Sequence, residues 1–273
     1  MLHGVMFALT FVTTMCAGAL QEGVDVFREP SGIVRGLPFS LSLMTVLLVH
    51  ELAHYLMSKK RYVEATPPLF IPAPSIIGTF GAFIRMKSPV RSRKALIDIS
   101  AAGPLAGFVA SLVVSVIGLS LSEIRQVENG ASALVLGESL LTTLLTHMIF
   151  GEIPVNHDVF LHPIAFAGWI GFFVTSLNLI PIGQLDGGHI AFALLGKMHR
   201  KLSIALTCGL VVLGIFLWLG WLIWAVLLII LGMRHPPVMV WEGSLDAKRR
   251  LLCASCFLIF LITFVPSPFE ITL

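Results

Sequence analysis

The stretch Val46-Leu47-Leu48-Val49-His50-Glu51-Leu52-Ala53-His54-Tyr55-Leu56-Met57 decides how this chain is read. Its His-Glu-x-x-His pattern, laid on a helix, sets two imidazoles one turn apart on one face. Both can reach the same ion there, and the carboxylate of Glu51 stands on the flank. The surrounding residues are apolar enough to cross a bilayer. An ionisable group in the middle of such a helix costs about 3 kcal/mol unless it is paired, coordinated or facing a wet cavity. Three such groups within five residues ask for a common explanation, and one metal ion supplies it.

The composition supports the membrane setting. Of 273 residues 56% are hydrophobic and only 12% charged, and the mean hydropathy is +0.93, far from the roughly 25% charged residues of soluble domains. The sequence therefore predicts an all-α, polytopic integral membrane protein in a lipid bilayer. It should have about six to eight transmembrane helices and one short re-entrant β-like loop. The net charge of +3 is small. Basic residues gather at the ends of apolar runs and no basic patch is interleaved with aromatics, so they report topology and exclude nucleic acid as a partner. The 4 cysteines, Cys16, Cys208, Cys253 and Cys256, all lie in apolar segments and read as packing residues.

From the motif outward, Leu37 to Ser58 is the expected helix, and it stops at Lys59-Lys60-Arg61, which the positive-inside rule assigns to the cytoplasmic face. His54 would sit about 7 Å of helical rise from that boundary. Before it, Leu2 to Leu20 reads as a first membrane helix and not a signal peptide, followed by an acidic stretch to Gly36 on the outer side. After it, Pro67, Pro68, Pro72 and Pro74 forbid an ordinary helix, and Ile76 to Ile84 has the composition of a re-entrant strand or hairpin around Gly78 and Gly81. A third helix is expected from Leu96 to Leu121, its small residues Ala101-Ala102-Gly103 and Gly107 letting a neighbour approach closely. Ser122 to His162, with Glu123, Glu128, Glu138, Glu152 and Asp158 against Arg125, belongs outside. Within it, 131–150 could be interfacial, re-entrant or spanning. Pro163 to Ile180 is the next helix. Leu202 to Leu231 is long for one crossing and short for two, with Gly220-Trp221 able to break it into a hairpin that returns Arg234, Lys248 and Arg249 to the basic face. Leu251 to Val265 is the last helix.

Two histidines leave a catalytic zinc one protein ligand short. Of 5 Asp and 10 Glu, nearly all sit in charged loops, and Asp186 stands apart in Asn178-Leu179-Ile180-Pro181-Ile182-Gly183-Gln184-Leu185-Asp186-Gly187-Gly188-His189. Elsewhere that aspartate would read as a helix cap before two glycines; here the missing ligand favours it as the third. His189 is the weaker alternative. Charge bookkeeping places His54 and Asp186 near the same face.

His50-Glu51-Leu52-Ala53-His54, paired with Asn178-Leu179-Ile180-Pro181 and Leu185-Asp186-Gly187-Gly188-His189, resembles the site-2 protease family of intramembrane zinc metalloproteases, peptidase family M50, in its compact branch without a PDZ domain. The resemblance implies a zinc endopeptidase that cuts membrane-protein substrates in or near their transmembrane segments. By it His50, His54 and Asp186 bind one Zn2+ per chain, Glu51 is the catalytic base and acid, and Asn178 holds the substrate or its developing oxyanion. The whole chain, 1–273, is then one metalloprotease domain with catalytic elements at 37–58, 76–84 and 163–189. A bacterial inner membrane, with the site toward the cytoplasm, is the expected location. Because a substrate helix must unwind to be cut, its freed backbone needs partners, and a strand edge at Gly78 and Phe80 would offer them.

The rival reading is a transport or helix-binding membrane protein with a non-catalytic His/Glu/Asp site. A transporter would spread polar groups over several helices, whereas this chain concentrates them at two places. A membrane desaturase needs more histidine boxes than 9 scattered His provide. A prenyl-protein endopeptidase takes glutamate as its third ligand.

Overall fold

The computed structural model describes residues 1–126, 133–232 and 238–272. Glu128 and Arg234, which helped assign sides of the membrane, lie outside the described residues. In chain order the elements are α1 (Leu2–Gln21), α2 (Leu37–Lys60), β1 (Leu69–Pro72), β2 (Thr79–Phe83), α3 (Arg93–Ser120), β3 (Glu123–Gln126), β4 (Ala133–Leu136) and α4 (Leu140–Phe150). They continue with β5 (His157–Phe160), α5 (Pro163–Leu179), α6 (Asp186–Leu195), α7 (His199–Phe216), α8 (Gly220–Leu231), α9 (Ala247–Thr263) and β6 (Phe269–Thr272). Among the described residues, four helical stretches are long and apolar enough to cross a membrane: Leu2–Gln21, Pro30–Lys60, Arg93–Ser120 and Asp186–Phe216. Leu140–Phe150, Pro163–Leu179 and Gly220–Ile230 are shorter apolar helices. The chain is thus a mostly helical integral membrane protein with short two-stranded sheets.

Two compact units make up the chain, and each has its own packing. The first comprises Met1–Ser88, Leu105–Val127 and Leu145–Phe172, and α2 runs through it. On one side α1 lies against the turn before α2, where Gly36 has no room for a Cβ beside the Met15 carbonyl and a Cβ on Gly18 would stand 2.8 Å from Gly36 O. Thr14 Oγ1 and Ser40 Oγ, both buried, then share a 2.6 Å hydrogen bond. On another side α3 and α5 meet through small residues: Gly118 against Ala165, Ser115 against Gly168 and Ser111 against Gly171. With no hydrophobic drive between helices in lipid, such close backbone approach and its dispersion contacts hold the pair together. The stacked rings of Phe39 and Phe166, 5.6 Å apart, fasten α2 to α5.

The strand expected at 76–84 is present as β2, and its antiparallel partner β1 was not foreseen. The proline-rich run supplies that partner: Pro72 closes β1 beside an irregularity in register between Phe70 and Pro72, as proline in a strand requires. The hairpin rests on α1 through the Phe7 and Phe70 rings, edge to face at 5.0 Å, and through Thr13 Oγ1, which donates to Gly78 O at 2.7 Å.

The second unit comprises Pro89–Pro104, Glu128–Leu144 and Phe173–Leu273. Here the long apolar run does break, at Leu217–Leu219, into the paired helices α7 and α8. Gly214 packs against Leu222 across the pair, and the buried Trp221 donates its indole N–H to Pro266 O at 2.7 Å. Among the described residues of the segment that the sequence left open are β4 and an 11-residue α4. That helix rises about 16 Å, half of a hydrocarbon core. The strand β4 pairs with the C-terminal β6, and in the first unit β3 pairs with β5.

Candidate metal centre

The period of α2 puts the motif on its covered face. His50, Glu51 and His54 are 4%, 7% and 6% exposed, while Leu52 and Leu56 point outward. His54 Nε2 lies 3.1 Å from His50 Nε2, and the rings stand edge to face with centroids 4.8 Å apart. Two nitrogens bound to one zinc at 2.0–2.1 Å in a tetrahedron are about 3.3 Å apart. The imidazoles therefore already converge as two ligands of one ion would. Small residues on α3 permit this: a Cβ on Gly107 would meet His50 Nδ1 at 2.8 Å and His50 Cβ at 3.2 Å.

Asp186 is delivered by a tight turn. Pro181 removes a backbone donor and helps end α5 after Leu179. The chain then folds back with Ile182 N donating to Ile180 O at 2.7 Å and Leu185 N donating to Ile182 O at 3.3 Å. Gly183 takes the left-handed conformation, φ +57, which favours glycine. Gly187 lies directly against the Leu179 carbonyl, and a Cβ on Gly188 would stand 2.5 Å from Ile182 O. The double glycine after Asp186 thus accommodates the chain's own turn. Asp186 opens α6 in its first turn. Asn178 is the penultimate residue of α5 and half-buried.

His50, His54 and Asp186 each offer one ligand atom, and these atoms all lie within 4.8 Å of one another, so the three could hold a metal ion. His189 is not in that group. Two imidazole nitrogens and a carboxylate oxygen are a donor set suited to zinc.

Gly78 and Phe80 have different surroundings. Gly78 has φ +81, and a Cβ there would stand 2.5 Å from Thr13 O, so its need for glycine is accounted for by docking on α1. Phe80 is 76% exposed on β2, which among the described residues pairs with β1 alone.

One buried carboxylate escaped the sequence reading. Asp98, 4% exposed in α3, is not in a loop. Arg249 of α9 clamps it with Nε to Oδ1 at 3.0 Å and Nη2 to Oδ2 at 2.6 Å. An acid in the apolar run 95–107 was the signal, and its cation lay 151 residues away.

Two buried, converging imidazoles and a carboxylate on the same helix of a membrane chain make a candidate metal centre. The family description "Peptidase family M50" matches residues 38–220, and the chain belongs to that family. It is 31% identical over 290 residues to the probable zinc metalloprotease EGY1, chloroplastic, of Arabidopsis thaliana, covering 96% of this chain and 52% of the relative. It is 35% identical over 191 residues to EGY2 of the same plant, covering 69% and 34%. To EGY1 of Oryza sativa subsp. japonica it is 34% identical over 244 residues, covering 84% and 40%. The chain thus spans about a third to a half of the length of these relatives. Their names are chloroplastic, so the expected bacterial inner membrane finds no support in them.

Proposed function

We propose that this chain is an intramembrane zinc endopeptidase that hydrolyses peptide bonds in or near the transmembrane segments of membrane-protein substrates. The observation that carries the reading is the buried pair His50 and His54, with Nε2 atoms 3.1 Å apart, on the helix that also carries the buried Glu51. Asp186 completes the ligand set in this reading. A zinc ion held there would lower the pKa of water toward about 7 and polarise the scissile carbonyl.

The remaining steps belong to side chains. Glu51 accepts a proton from the attacking water on its carboxylate and passes it to the leaving amide nitrogen. The carboxamide of Asn178 holds the substrate backbone or its developing oxyanion. The edge of β2 at Phe80 receives the unwound segment by strand addition, and Gly78 keeps that edge seated on α1. We take residues 1–273 as one catalytic domain. The four long helices, with α5, α8 and α9, give a number of crossings within six to eight. The active site faces the side of Lys59, Lys60 and Lys197.

Reconstitution tests the reading. Purified chain in liposomes should cleave a co-inserted transmembrane substrate, lose that activity to a zinc chelator and regain it when zinc is returned. Cleavage that survives complete removal of the metal would overturn the zinc assignment, and a metal-loaded protein inert toward every membrane helix offered would favour the helix-binding alternative.

A further inference from the structure

The turn that ends at Asp186 is gripped by the start of α7. Gly183, three residues before the aspartate, donates its backbone N–H to Ser203 Oγ at 3.2 Å, and Ser203 Oγ lies 3.2 Å from His199 Nε2. Both side chains are shut away from solvent, His199 at 1% exposure and Ser203 at 0%. The edge contact of His199 with the Phe192 ring, centroids 6.0 Å apart, ties the imidazole to α6 itself. A serine inside a helix commonly bonds back to a carbonyl of the preceding turn. Ser203 instead points its oxygen toward the neighbouring turn, where it accepts from Gly183 N–H and stands within hydrogen-bond distance of His199 Nε2.

We propose that Ser203 and His199 are positioning residues of the metal centre. They fix the left-handed turn at Gly183 and, through it, the carboxylate of Asp186. The proposal rests on Asp186 as a zinc ligand. Within the turn, the backbone bonds Ile182 to Ile180 and Leu185 to Ile182 hold its curvature, while the Gly183 to Ser203 bond anchors it to a packed helix. Without that anchor a buried N–H is orphaned, and the turn relaxes toward other partners, carrying Asp186 with it. Groups one step behind a metal ligand set its orientation, and removing one typically weakens metal binding by about 10- to 100-fold.

The experiment uses the full chain and reads the zinc dissociation constant by competition with a chromophoric chelator, beside peptide cleavage. Ser203→Ala should weaken zinc about 10- to 100-fold. In an Asp186→Asn background the same change should alter zinc affinity by less than about twofold, because the residue through which Ser203 acts no longer contributes in the same way. His199→Gln, which keeps a hydrogen-bonding partner for the serine, should weaken zinc less than His199→Phe. The proposal is overturned if Ser203→Ala leaves the wild-type zinc affinity intact. It is equally overturned if the loss is as large in the Asp186→Asn background, since that is the mark of a general structural effect. Unchanged zinc affinity in Asp186→Asn alone would instead remove Asp186 from the ligand set and take the underlying reading with it.

Discussion

A methyl group in place of one hydrogen of Gly107 would lie 2.8 Å from His50 Nδ1, closer than side-chain carbons approach a ring nitrogen. The backbone of α3 cannot easily yield there, so His50 must turn away from His54. Gly107→Ala should therefore weaken zinc binding about tenfold or more while the protein remains folded, as a chelator titration and a melting curve together would report. Zinc affinity equal to wild type would mean that His50 is not held by this contact. The motif residues themselves were legible because His-Glu-x-x-His is a local pattern, fixed by the helical period. Gly107 was read only as a generic packing glycine, since its contact to His50 spans 57 residues of sequence. Asp98 was missed for the same reason: the Arg249 guanidinium that makes its burial tolerable comes from α9.

Among the elements, helices were read best and strand partners worst. Apolar runs bounded by charges or prolines mark α1, α2, α3 and α5 to within a few residues. The pairings β1 with β2, β3 with β5 and β4 with β6 depend on contacts that no local period encodes. Basic residues also hold the fold together: Arg249, read as a topology signal, is 13% exposed in its ion pair, and Arg93 stacks over Trp241 at 4.9 Å and donates to Gly243 O at 2.7 Å. The exposed strand β2 carries the element-level prediction. Phe80→Pro removes a backbone N–H and an apolar side chain from β2. Cleavage of a helical substrate should slow several-fold at unchanged zinc content, and less so for a substrate already unwound by Gly or Pro near the cut. Wild-type rates on both substrates would reduce the hairpin to a structural plug.

At the scale of the whole molecule, the sequence conveyed the membrane class through its low charge and long apolar runs, and the number of crossings less well. Two helices of the middle region, α4 and α5, are shorter than a bilayer is thick, so length alone does not decide whether they cross. Topology reporters fused after Lys60 and after Lys197 should report the same side of the membrane, because the positive-inside rule assigns both basic clusters to one face. Opposite readouts would separate the two motifs and dismantle a single metal centre. The central claim is that Glu51 moves protons at a zinc ion it does not bind. Its most direct test is the Glu51→Gln chain, purified and reconstituted beside the wild type, with zinc per chain and peptide cleavage measured on the same sample. The account predicts about one zinc per chain, as in the wild type, and no detectable cleavage; retained cleavage, or loss of the metal together with activity, would contradict it.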